Sequence, residues 1–285
     1  STNSSLETAK LSLPNLWVIR QNNMNRFFVT ISLILGIACI GYAQNFQYGY
    51  QMVRMTSQYD SKIDPKLQKY VDRQKARLEM EMNVVIGYCD ATLASFVPAS
   101  PLSNFLTDIL LAKSPDYVAD TIFRQCDVSL LNFGGIRSQL PAGEVTVGNI
   151  FSLSPFENYL TFIEIKGSEL RKMFNRFKEK SNNAPFSGAQ LTFSQGRPYR
   201  ILVQGKPLVD DRVYRLVTLN FIADGGDNIL RDIQFEKKIT TEVVFRDFLI
   251  QEIKNMNQEG RHVVGKMDDR VVIQSTPYFI NRKHY

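Results

Sequence analysis

Histidine is nearly absent from this chain: His262 and His284 are the only two in 285 residues. Hydrolysis at two metal ions needs a cluster of ligands that holds the ions ~3.5 to 4 Å apart, and no such cluster can be assembled from these residues. A Ser/His/Asp centre would have to use His262, in Glu259-Gly260-Arg261-His262, and the chain has no nucleophile elbow. His262 therefore reads as a surface or satisfied structural histidine. Cysteine is just as sparse, with three residues and no short-spaced pair of the kind that binds zinc. Cys89 and Cys126 are open to either of two readings, one disulfide or two buried thiols. There is no internal repeat and no low-complexity tract. No Lys/Arg cluster of the duplex-binding kind occurs either, so duplex nucleic acid is not an expected partner.

What is present is globular composition, 44% hydrophobic and 22% charged with 16 glycines and 11 prolines. The N-terminal part stands apart. Met24-Asn25-Arg26 precedes a largely apolar run from Phe27 to Ile40, too short to span a bilayer comfortably, and Gly41-Tyr42-Ala43-Gln44 follows. A basic start, an apolar middle and small residues before Gln44 predict a signal peptide over Met24–Ala43, with residues 1–23 as an upstream extension. A buried core helix over the same run is the weaker reading. Lipid modification at Cys39, after Gly36-Ile37-Ala38, is the second reading of the export signal. Removing residues 1–43 takes away three basic residues and one acidic, leaving 31 against 27, a mild +4. The expected mature chain, residues 44–285, is a single domain with no transmembrane helix.

Along that domain, Asp64-Pro65 signals a helix start, and a charged amphipathic run continues to about Met82. Val84 to Tyr88 reads as a strand. Ser100-Pro101 repeats the start signal, with Leu102, Phe105, Leu106, Ile109 and Leu110 on one helical face. Val128 to Leu131 is a short strand that ends in a glycine turn. Leu160 to Ile165 is another strand, and Gly167-Ser168 opens a helix with Leu170, Met173, Phe174 and Phe177 on its buried face. Residues 180–187 read as a loop, and strands follow at Ala189 to Phe193, Tyr199 to Val203 and Val213 to Phe221. A last helix turns Val244, Phe245, Phe248, Leu249 and Ile253 inward, and Arg270 to Ile273 closes as a strand. The mixture predicts an α+β fold, a mixed β-sheet flanked by helices.

Four stretches carry candidate chemistry: Asn132-Phe133-Gly134-Gly135-Ile136-Arg137, Ser154-Pro155-Phe156-Glu157-Asn158, Ser187-Gly188-Ala189 and Asn220-Phe221-Ile222-Ala223-Asp224-Gly225-Gly226-Asp227. With Lys166-Gly167-Ser168-Glu169-Leu170 between them, they resemble in order the C-terminal domain of the 5'-nucleotidase and UDP-sugar hydrolase family, from about Ser100 to Asn228. The resemblance implies that Phe156 and Phe221 sandwich a nucleobase, that Arg137 grips phosphate and that Asp227 accepts hydrogen bonds from ribose hydroxyls. It also places Asn132, Asn158 and Gly188 at the base edge. These roles suit the groups: stacking on aromatic rings tolerates any base, a guanidinium is a fork for an anionic oxygen, and a carboxylate is an acceptor-only group. Without the motifs, the same residues would read as core phenylalanines, a surface ion-pair arginine and a turn aspartate.

The chain departs from the family at Val97-Pro98-Ala99-Ser100-Pro101, where family members place one or two arginines. The implied phosphate clamp is thinner, which leaves nucleosides as well as nucleotides as ligands. The family's hydrolysis belongs to a separate N-terminal metallophosphatase domain with two metal ions, and the roughly 55 residues between Gln44 and Ser100 are too few for one. The expectation is a specificity domain that carries no cofactor and acts with a metallophosphatase subunit, the divalent metals lying in that partner. It is expected to be periplasmic or extracellular. A binding protein without an enzymatic partner is the alternative.

Overall fold

The computed structural model describes residues 24–33, 49–58, 64–178 and 184–274. The chain divides into two compact units, Ser1–Ile63 and Asp64–Tyr285. In the first, residues 24–33 are helical. The rest of the expected signal segment, with Cys39 and the small residues before Gln44, lies outside the described residues, as does His284. No helix among the described residues is long and apolar enough to cross a membrane.

The second unit opens on helix α1, Pro65–Met82, where the Asp64 side chain accepts from the Lys66 N–H and Pro65 fills the first turn. None of its residues is buried. Strand β1 (Val85–Cys89) pairs antiparallel with β3 (Gly143–Thr146). Helix α2 (Pro101–Lys113) starts with a capping box between Ser100 and Ser103. Its predicted stripe of Leu102, Phe105, Leu106, Ile109 and Leu110 is buried throughout.

The main sheet has five strands in the order β10-β4-β9-β2-β5, from Lys237–Val244, Tyr159–Lys166, Val213–Leu219, Val128–Leu130 and Phe186–Ser187. β2 runs parallel to β9 and every other pairing is antiparallel, so the sheet is mixed. Its centre is apolar on both faces: Leu160, Phe162, Ile163, Leu216 and Val217 are fully buried. Helix α4 (Gly167–Phe174) buries Leu170, Met173 and Phe174, and helix α6 (Phe245–Gln258) buries Phe245, Phe248, Leu249 and Ile253. A second sheet, in the order β11-β6-β7-β8, is built from Val271–Ile273, Ala189–Ser194, Arg197–Val203 and Lys206–Pro207. This is the predicted α+β architecture of mixed sheets flanked by helices.

Several boundaries differ from the sequence reading, and Val244, expected on the inner face of the last helix, instead ends β10 half-buried. α4 ends at Phe174, and Phe177 is buried from the turn that follows. The strand expected to reach Phe221 stops at Leu219, where Asn220–Ala223 folds into helix α5 and the Asp224 N–H closes on the Asn220 carbonyl. Of the expected loop, residues 179–183 lie outside the described residues, and Phe186–Ser187 forms β5 against β2. Helix α3 (Val147–Leu153) has no counterpart in the sequence reading, although its cap is written in Thr146 and Asn149, which bond reciprocally. β10 has none either: Lys237, Lys238 and Glu242 are exposed and none of its residues is fully buried. Cys89 and Cys126 are free thiols, not a disulfide.

Candidate functional site

The site forms where β2 and β9, parallel neighbours, both end. β2 runs into Asn132, whose extended backbone precedes the tight turn Phe133–Gly135. Gly135 packs tightly there: a β-carbon would sit 2.6 Å from Asn132 Oδ1 and displace that side chain. The Arg137 N–H then bonds the Leu153 carbonyl at 2.9 Å, tying the turn to the end of α3.

Past α3, Ser154-Pro155-Phe156 leaves residue Phe156 45% exposed, and past β9, α5 leaves residue Phe221 43% exposed. The two loops are linked, because Asn220 Oδ1 accepts the Tyr159 N–H at 2.8 Å. Gly226 seats one ring: a β-carbon there would meet Phe221 ring atoms at 2.5 to 2.6 Å. The chain then passes through left-handed backbone at Gly225 (φ +98°), Asp227 (φ +52°) and Asn228 (φ +56°), a conformation that Asp and Asn tolerate better than most residues. That turn aims the Asp227 carboxylate back at Asn132, whose Nδ2 donates to Oδ2 at 2.6 Å. An acceptor-only carboxylate fixes which end of the amide faces it. Asn132 Oδ1 is buried without a hydrogen-bond partner.

A cavity of about 300 Å³ results, lined by Phe156, Phe221, Asn158, Arg137, Asp227 and Asn132 together with the two glycines of the turn. Six of the seven sequence-predicted residues are thus brought together. Arg137 is exposed, its guanidinium carbon lies 6.0 Å from the Phe156 ring centroid, and its Nη1 donates to the Gly134 carbonyl at 3.2 Å. That long contact leaves most of the fork free to meet an anion. Two half-exposed rings, an acid and an arginine around one opening can clasp a flat heterocycle with a hydroxyl-bearing, anionic tail.

Gly188 is the exception. It lines a different cavity, beside Gln204 and Arg270, and not the one between the rings. Its backbone is left-handed (φ +80°), and a β-carbon would lie 2.1 Å from the Asp127 carbonyl oxygen, so close packing demands the glycine. Asn132 lines the cavity but is nearly buried, and one of its two amide N–H groups is given to Asp227. The sequence reading missed Asn220 and Gly226. Both lie inside the motif that carries Phe221, but their tasks depend on Tyr159 and on a ring orientation that only the folded chain shows.

Among the described residues, no group of three or more His, Cys, Asp or Glu side chains could hold a metal ion. His262 lies on the surface with Nδ1 2.6 Å from Asp90 Oδ1, and its ring centroid is 5.8 Å from that of Tyr88. Burial pushes the Cys126 thiol up to about 12 and also raises Cys89, so neither is poised as a thiolate nucleophile.

The family model for the 5'-nucleotidase C-terminal domain matches residues 85–232, and the chain belongs to that family. Protein UshA of Yersinia enterocolitica is 30% identical over 132 residues, covering 45% of this chain and 24% of its own length. A 5'-nucleotidase of Vibrio vulnificus is 32% identical over 107 residues, covering 36% and 19%. Among solved structures, a 5'-nucleotidase precursor from Thermus thermophilus superposes with a TM-score of 0.60 at 24% identity, over 74% of this chain and 43% of that one, a likeness of fold. The chain spans less than half the length of each of these proteins.

Proposed function

We propose that this domain binds the nucleoside part of a nucleotide and presents its phosphate to a metallophosphatase on a separate chain. The base lies between Phe156 and Phe221, Asp227 accepts from the ribose hydroxyls, Asn132 holds Asp227 in place and Arg137 takes the phosphate. Phosphate ester hydrolysis, and the divalent metals it requires, belong to the partner. The observation that supports this reading most is one cavity shared by two half-exposed phenylalanines, an arginine and an aspartate, on the loops that follow β2 and β9 and the loop that leads from α3 into β4. Stacking at ~1 to 3 kcal/mol per base and one charged contact of ~1.5 to 3 kcal/mol, less the cost of association, correspond to millimolar to micromolar affinity. The pattern of residues 24–43 favours a place outside the cytoplasm, in the periplasm or beyond.

The test is calorimetric titration of the purified chain with adenosine, AMP and UDP-glucose, together with phosphate release from AMP with and without divalent metal. The reading expects binding without turnover by the chain alone, and turnover once a dimetal phosphatase partner is added. Robust metal-dependent release by this chain alone would overturn the division of labour. Binding with no partner recoverable would favour the alternative, a nucleoside- or nucleotide-binding protein that is not an enzyme subunit.

A further inference from the structure

A second cavity, of about 280 Å³, adjoins the first. Asn132, Gly134 and Asp227 line both, so these three residues form the wall between them. The wall is low at Gly134, where an added β-carbon would find only Asp227 Oδ2 at 3.6 Å and Asn132 Nδ2 at 3.7 Å. Beyond it, Phe133, Arg176 and Asn228 close the far side.

We propose that this second cavity takes a phosphate carried on the 2' or 3' oxygen of the nucleoside. The inference rests on the base-binding reading above, because it uses Asp227 as the ribose marker. With the base between Phe156 and Phe221 and the ribose hydroxyls at Asp227, a substituent on either hydroxyl oxygen leaves across the Asp227 wall, away from Arg137. The cation waiting there is Arg176. It donates through Nη1 to the Arg231 carbonyl, and a five-donor fork can serve that carbonyl and a phosphate together. Arg231 stands over the same turn, its Nη1 3.3 Å from Asn228 Oδ1. The anions near the turn are Asp224, which is paired with Lys238, Asp227, and Asp232, which lies 3.9 Å from the Arg231 guanidinium. A phosphate on one hydroxyl leaves the other free to donate to Asp227, so the carboxylate keeps a partner while Arg176 neutralises the phosphate.

The experiment is calorimetric titration of the full chain with adenosine, 2'-AMP, 3'-AMP and 5'-AMP, in the wild type, Arg176→Gln and Arg176→Lys. In the wild type, 2'-AMP or 3'-AMP binds about tenfold tighter than adenosine, the worth of one charge-assisted contact. The advantage disappears in Arg176→Gln and largely survives in Arg176→Lys. Adenosine affinity is the same in all three proteins, and the 5'-AMP advantage, which belongs to Arg137, is unaffected. Adenosine binding with no advantage for either isomer, or an advantage that survives Arg176→Gln, overturns the second subsite and leaves the base site standing. No adenosine binding by the wild type removes both. If Arg176→Gln does not give a cooperative thermal transition, the ranking of the four ligands by the wild type and Arg176→Lys decides.

Discussion

Two arginines, each beside a cavity of about 300 Å³, show how differently the same side chain can be used. Arg270 is 8% exposed, and its donors are spent: two contacts to Asp268, a forked pair to Asp108, one to the Phe186 carbonyl and one to Thr107. It ties β11 to α2 and β5. Arg137 is exposed, makes one long side-chain bond to a neighbouring carbonyl, and faces an aromatic ring. An arginine with all its donors used is a brace; one with an open fork at a cavity is a candidate ligand contact. Cavity size alone does not separate the two, since the Arg270 cavity is the slightly larger.

Arg270→Leu is expected to lower stability by roughly 2 to 3 kcal/mol in urea unfolding, below the usual cost of breaking a buried pair because both carboxylates are about half exposed. Nucleoside affinity should be unchanged. Arg270 also holds the Asp268 carboxyl below its usual range. A carboxylate with a depressed folded value contributes stability that is full above its unfolded value, about 3.9, and is lost as pH falls through the folded value. The wild type should therefore lose stability more steeply than Arg270→Leu in acid unfolding curves below about pH 4.

At the open site the effects are on binding. Phe221→Ala should weaken adenosine by the stacking energy of ~1 to 3 kcal/mol, roughly 5- to 150-fold. Gly226→Ala should produce a loss in the same range while keeping the ring, since its β-carbon would occupy the ring's seat. Arg137→Gln should weaken AMP about tenfold and leave adenosine as it was, the opposite of Arg270→Leu, which should affect neither ligand. The smallest effect concerns the thiols. With Cys126 pushed up to about 12 by burial, the native protein at pH 8 should alkylate there far more slowly than the urea-unfolded chain, as read by mass spectrometry.

Much of this is legible in the sequence because the informative signals are local. Proline after an N-cap residue marks α1 and α2, and an apolar stripe marks the buried face of α6. Phe156, Phe221, Arg137 and Asp227 are legible as a group only through the ordered motifs, since nothing in the local sequence says that residues 65 positions apart share a cavity. Gly188 shows where that reasoning fails. Its motif points to a ligand, whereas its glycine is explained by the Asp127 carbonyl oxygen, on a chain segment 61 residues away. The hydrogen bond from Asn132 to Asp227 is equally long-range, and so is the burial that sets β10 half in water and half against β4.

The most direct test of the base site is the proton NMR spectrum of adenine as adenosine is titrated with the protein. Rings on both faces of the base should move the H2 and H8 resonances upfield, with a smaller shift in Phe156→Ala and in Phe221→Ala and almost none in the double variant. Saturable binding with unshifted adenine protons, or shifts indifferent to both substitutions, would contradict the account.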